Sequence, residues 1–129
     1  MPITATVESS RNLTRLVVAG VVSAAEMRRA IEQFWESPAL TRDVIWDYSE
    51  ASLTKLSVGE LRDLVPVGKR YGHRLAERRG GKTAIVAPGD LAYGMMRVSE
   101  TLSGMSEYTF EIRVFRSMEE ADAWLGAGG

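Results

Sequence analysis

Four short apolar runs in this chain alternate with helix-length amphipathic stretches, and three of those stretches open on a serine answered by a glutamate three residues on. The pairs are Ser23 with Glu26, Ser57 with Glu60, and Ser117 with Glu120. In such a pair the serine oxygen accepts from an orphan amide of the first turn, and the glutamate reaches back to the serine amide. Helix starts placed this way leave the apolar runs at 13–22, 44–46, 83–87 and 110–114 to be strands. Ahead of them Ile3, Ala5 and Val7 alternate with Thr4, Thr6 and Glu8, which predicts a half-buried strand. The turn cluster Ser9-Ser10-Arg11-Asn12 then folds that strand back on the next as an antiparallel hairpin. Gly20 interrupts the second run and predicts a bulge or a close backbone approach.

The intervening stretches carry helical periodicity. Met27, Ala30, Ile31 and Phe34 share one face, with Arg28, Arg29, Glu32 and Gln33 outside and Pro38 just past the end. Leu61, Leu64, Val65, Gly68, Tyr71 and Leu75 form the second stripe. Pro66 lies inside it, removes an amide donor and predicts a kink or a split. Gly80-Gly81 closes the stretch. Asp90 is the expected N-cap of a third helix, striped by Leu91, Met95, Val98, Leu102 and Met105. Ala121, Trp124 and Leu125 face the core from a short last helix. The predicted order is β-β-α-β-α-β-α-β-α, an α/β fold with a mixed five-strand sheet. The first strand is antiparallel and the rest parallel, because each later connection is long enough for a crossover. Helices are expected on both faces, and Trp46 and Trp124 are expected to be buried.

Composition narrows the function classes. A chain of 129 residues suits one domain, read as residues 1–125 with a glycine-rich flexible tail at 126–129. Net charge is −1, so no global field favours nucleic acid, and none is expected as a partner. There is no cysteine, which excludes disulfides, thiolate catalysis and cysteine-ligated zinc. His73 is the single histidine and lies among Lys69, Arg70 and Arg74, a poor setting for a base oriented by a buried acid. No catalytic residue, metal site or cofactor is therefore expected. No apolar run reaches the roughly 18 residues of a transmembrane segment. Met1-Pro2-Ile3-Thr4 lacks the basic start of a leader, so a cytoplasmic location is expected.

Several segments carry a family resemblance: Leu16-Val17-Val18-Ala19-Gly20, Val44-Ile45-Trp46-Asp47-Tyr48, Ala84-Ile85-Val86-Ala87-Pro88, Asp90-Leu91-Ala92-Tyr93-Gly94-Met95 and Glu111-Ile112-Arg113-Val114-Phe115-Arg116. Together with the element order they make the chain resemble the SpoIIAA-like fold of STAS domains and anti-sigma-factor antagonists. More narrowly, it resembles small bacterial STAS/SEC14-like proteins of unknown function. The resemblance implies a non-enzymatic regulatory module that docks a protein partner, and it leaves a homodimer open. STAS antagonists carry an Asp-Ser-x-Gly-like motif in which a partner kinase phosphorylates the serine. The matching segment here is Lys55-Leu56-Ser57-Val58-Gly59, in which Leu56 replaces the aspartate. The SEC14 side of the resemblance implies lipid binding.

Three places could carry function. Ligands of open α/β sheets bind beyond the carboxyl ends of the parallel strands; that edge presents Asp47, Tyr48, Ser49, Ser57, Asp90 and Arg116 as candidate partner contacts. The stretch 69–82 holds Lys69, Arg70, Arg74, Arg78, Arg79 and Lys82 against the single acid Glu77. It reads either as a basic docking patch or as a solvated helix face whose cations complement a helix C-terminus. Finally, Tyr93, Met95, Met96 and Met105 on the third helix are adaptable enough to line an apolar pocket for a small molecule or lipid, or simply to be core.

Overall fold

The computed structural model describes residues 3–105 and 108–126. Those residues form five strands in one sheet: β1 (Ile3–Glu8), β2 (Leu13–Val21), β3 (Asp43–Ser52), β4 (Lys82–Val86) and β5 (Glu111–Phe115). Four α-helices connect and cover them: α1 (Ala24–Glu36), α2 (Val58–Leu64), α3 (Asp90–Gly104) and α4 (Met118–Gly126). Gly126 thus ends a helix, and the remainder of the expected tail, 127–129, lies outside the described residues.

Strand order in space equals order in sequence, with β1 antiparallel to β2 and every later pair parallel. That order decides where the helices go. Each parallel connection steps one strand in the same direction, and right-handed crossovers then all fall on one face. Residues from α1, α2 and α3 accordingly share one core with Leu16, Val18, Val44, Trp46, Tyr48, Ile85 and Val114 of the sheet. Only α4, which follows the last strand, packs on the other face, where Ala121 and Leu125 meet Leu13, Ile45, Ala84 and Val86. The helices do cover both faces, but unequally.

Local chemistry explains the element ends. At Ser23 and at Ser57 both halves of the capping box are formed. At Ser117 only the serine half is present: its Oγ accepts from the Glu120 amide at 3.2 Å, while Glu120 Oε1 accepts from the serine hydroxyl at 3.1 Å. The α3 cap differs from expectation. Gly89 is the N-cap, and Asp90 is the first helical residue with its carboxylate turned to Arg116. Pro66 does split its stretch. α2 stops at Leu64, and Val65–Arg78 continues as a 3-10 segment broken at Tyr71 (φ −106°, ψ 37°). Gly68 in that segment is required by close approach, because a Cβ there would sit 2.9 Å from the Tyr108 hydroxyl and 3.1 Å from Trp35 Nε1.

The β2–β3 register slips between Val17 and Ala19: Val17 faces Asp47 but Ala19 faces Glu50, so β3 carries one extra residue. Beside the slip, Gly20 adopts φ +73°, a conformation open to glycine at little cost. β1 is less covered than its alternation suggests. Ala5 is exposed and Val7 is 44% exposed, whereas Ile3 packs against the main core.

Candidate functional site

At the carboxyl edge of the parallel strands the structure separates the sequence candidates by role. Asp47 Oδ1 accepts from the Ser49 amide at 2.9 Å and from its hydroxyl at 2.6 Å. Both residues lie within β3 where its register slips, and they are partners of each other. Tyr48 does not belong to the edge at all. It is buried, its ring is stacked on Trp46, and its hydroxyl reaches Met27 Sδ at 3.6 Å. The length of β3 explains the correction: the strand runs on to Ser52, and its alternation carries Tyr48 onto the large core face alongside Val44 and Trp46. Burial pushes its phenol well above the ordinary range.

The rest of the edge is exposed. Ser57 is solvent-facing, and its oxygen accepts from the Glu60 amide at 3.0 Å. Leu56, where an aspartate would stand in the resembled motif, is buried and anchors the loop together with Leu53. Arg116 Nη1 pairs with Asp90 at 2.8 Å and donates to Pro88 O at 3.3 Å, while its guanidinium lies 4.1 Å from the Tyr93 ring centre. Two apolar side chains stand unprotected beside these polar groups: Val58, 44% exposed, opens α2, and Leu91, 54% exposed, is the second residue of α3.

The basic stretch is dispersed by folding. Lys69 and Arg70 are exposed; Arg70 pairs with Glu32 at 3.5 Å, and Lys69 Nζ lies over the Tyr108 ring. Arg74 is half-buried and donates to Trp35 O and Ser37 O as well as to Glu77, whose carboxyl it holds below the usual range. Lys82 Nζ donates to Trp124 O at 2.8 Å. Arg78 is 2% exposed and cannot belong to a surface patch. The 3-10 geometry, with its break at Tyr71, turns Arg78 inward where an unbroken helix face was expected.

Inside, Arg78 borders a cavity of about 120 Å³ between the large core face of the sheet and the helices above it. Met27, Phe34 and Trp35 of α1, Trp46 of β3, and Met96, Ser99 and Ser103 of α3 line it, with Tyr108 and Phe110 from the connection before β5. Of the methionines expected to line a pocket, Met96 does so. Met95 is buried elsewhere in the core, Met105 is 76% exposed, and Tyr93 lies under Arg116. Trp35 is a residue that the sequence reading missed, and Arg78 is one that it placed on the surface patch instead. The adjacent pair Phe34-Trp35 was a usable signal, since it widens the α1 stripe beyond a simple i, i+3, i+4 pattern. Arg78 gave none, as its neighbours are also basic. A separate groove of about 350 Å³ lies between β1 and α1, floored by Ile3, Ala5 and Val7.

Among the described residues no cluster of histidine, cysteine or carboxylates is arranged to hold a metal ion, and no helix is long and apolar enough to cross a membrane.

No protein-family model and no curated protein matches the sequence. Solved structures do match the fold. The anti-sigma factor antagonist SpoIIAA in its unphosphorylated form superposes with a TM-score of 0.52 at 16% identity, over 95% of this chain and 96% of that one. An uncharacterised DUF3478 protein with a SpoIIAA-like fold, from Shewanella loihica PV-4, superposes with a TM-score of 0.55 at 19% identity, over 95% and 93%. The fold is SpoIIAA-like along nearly the whole chain, as the element order predicted.

Proposed function

We propose that this chain is a non-enzymatic STAS-like module, acting in the cytoplasm, that docks a protein partner through the carboxyl edge of its sheet. The observation that carries this reading is that Val58 and Leu91 are both exposed. Both are exposed aliphatic residues in the first turns of helices that begin at the same edge, and they are flanked by Ser57 and the Asp90–Arg116 pair. An apolar centre within a polar rim is the anatomy of a transient interface. The fold of an anti-sigma factor antagonist agrees with it. Ser57 caps α2 in this reading and contributes a rim hydroxyl. Lys69 and Arg70 remain an exposed basic pair on the 3-10 segment, outside the proposed contact.

The test is affinity capture from the host with wild type, Val58→Glu and Leu91→Glu, alongside sedimentation. Both positions are open, so the variants fold. The expected result is one stoichiometric partner, or a self-dimer, retained by wild type and lost in both variants. An unchanged set of bound proteins refutes the docking edge.

A second reading has its own observation. The cavity beneath α3 favours a small-molecule carrier. At about 120 Å³ it is too small for a lipid chain: an engineered protein cavity of roughly 150 Å³ takes one benzene.

A further inference from the structure

Among the described residues that line this cavity, Arg78 is the one with a charged side chain. Its Nε donates to Arg42 O at 2.9 Å, and its Nη2 donates to Thr83 Oγ1 at 2.8 Å and to Lys82 O at 3.4 Å. Nη1 makes none of these bonds, and because every fully buried side-chain nitrogen and oxygen among the described residues has a partner, Nη1 is not sealed from solvent-sized space. Asp43 acts on it only through space, because its oxygens are taken by the Lys82 amide and by Arg42. The aromatic rings of Phe110, Phe34 and Trp35 surround the guanidinium carbon at 4.0, 5.4 and 5.6 Å. Burial pulls its pKa down to about 9, which still leaves it charged at neutral pH.

A buried cation is expensive unless it is paired. Ring faces and carbonyls offset part of that cost. An arginine that served only to tie loops together would need no void beside it, since protein interiors otherwise close on such gaps. Here the void and the charged group coincide, and the remaining walls are largely rings and aliphatic chains.

We infer that this cavity binds a compact apolar carboxylate, with the acid group on Arg78 and the hydrocarbon part against Phe34, Trp35 and Trp46. The inference rests on the carrier reading above and gives it a ligand class. The volume limits the hydrocarbon to about one ring or a short branched chain, by comparison with the benzene-sized cavity. Carboxylate is preferred over a neutral polar head because it brings the opposite charge that a buried guanidinium needs, whereas an alcohol brings only an acceptor.

The experiment titrates the purified protein with benzoate and isovalerate and, in parallel, with benzyl alcohol and isoamyl alcohol. Binding is read by tryptophan emission and by the NMR resonance of the Arg78 Nε–H. Ser99→Leu, which places a larger side chain on the cavity wall and keeps Arg78 in the sequence, is titrated alongside. The expected result is that the acids bind at least about tenfold more tightly than the alcohols, that they move the Arg78 resonance, and that folded Ser99→Leu loses them. Equal binding of acids and alcohols overturns the acid anchor while leaving the carrier reading standing. No binding by any probe, or full binding by folded Ser99→Leu, overturns both. Should Ser99→Leu fail to fold, the acid-versus-alcohol comparison on wild type decides.

Discussion

Arg78 shows how one side chain can be structural in a way its neighbours in sequence are not. Its three hydrogen bonds go to Arg42 and Lys82 carbonyls and to the Thr83 hydroxyl, which tie the end of the 3-10 segment to the starts of β3 and β4. A lysine has the charge but neither the planar face for Phe110 nor the fork that reaches several acceptors. Arg78→Lys should therefore cost about 2 kcal/mol in urea unfolding, the loss of one or two bonds to a charged donor. A loss below about 0.5 kcal/mol would mean the group is not held as described. Tyr48 makes a prediction of a different kind. Its phenol ionises at an ordinary pKa of 10.0 in the unfolded chain, and burial raises it in the folded one. The folded state then keeps a proton that the unfolded state releases, so this contribution is whole below pH 10 and is lost as pH rises above it. Stability measured from pH 8 to 11 should fall at the alkaline end for wild type, and Tyr48→Phe should flatten that fall. Tyr48→Phe should cost little at neutral pH, since the hydroxyl's partner is the weak acceptor Met27 Sδ.

The helix starts are where sequence and structure agree most closely, and the reason is that a capping box is local: four residues satisfy one another without tertiary help. Ser57→Ala should cost about 1 kcal/mol, whereas Ser57→Asp should be nearly neutral, because aspartate caps as well and suits the positive helix end. Equal losses in thermal or urea unfolding for both variants would show that Ser57 does something other than cap. The strands were legible for a similar reason, since an apolar run bounded by turn residues can be little else. What escaped the sequence depended on contacts between elements. Asp90 was free to leave the cap because Arg116, 26 residues later, lies 2.8 Å away across the β4–β5 edge. Tyr48 was assigned to a polar edge because the apolar run ends at Trp46, whereas pairing with β2 carries β3 on to Ser52. The basic stretch looked like one helix face, but a 3-10 segment with a break at Tyr71 has no single face. Of the candidate site, then, the exposed serine, the Asp90–Arg116 neighbourhood and an apolar pocket beneath α3 were visible, while most of the pocket's lining, drawn from elements far apart in sequence, was not.

At the scale of the molecule, the strand order leaves one sheet face to three helices and the other to α4 alone. The smaller core is nevertheless no separate unit. Val44, Trp46 and Tyr48 of β3 enter the large core while Ile45 between them enters the small one, and in β4 Ile85 is flanked by Ala84 and Val86 in the same way. Stripping α4 from its face exposes Ile45 and Val86 on strands whose other side holds up the main core. Leu125→Ala, which removes a buried side chain from α4, should then lower global stability by about 2–3 kcal/mol. It should not produce a molecule with a loose helix on an intact remainder. The check uses the tryptophans, since Trp124 lies on α4 and Trp35 and Trp46 lie in the main core. With Trp124→Phe as the control for its own emission, urea curves from α4, from the main core and from far-UV circular dichroism should coincide in wild type and shift together in Leu125→Ala. An earlier transition confined to the Trp124 signal would show instead that α4 melts by itself, and that the small core adds nothing to the sheet it covers.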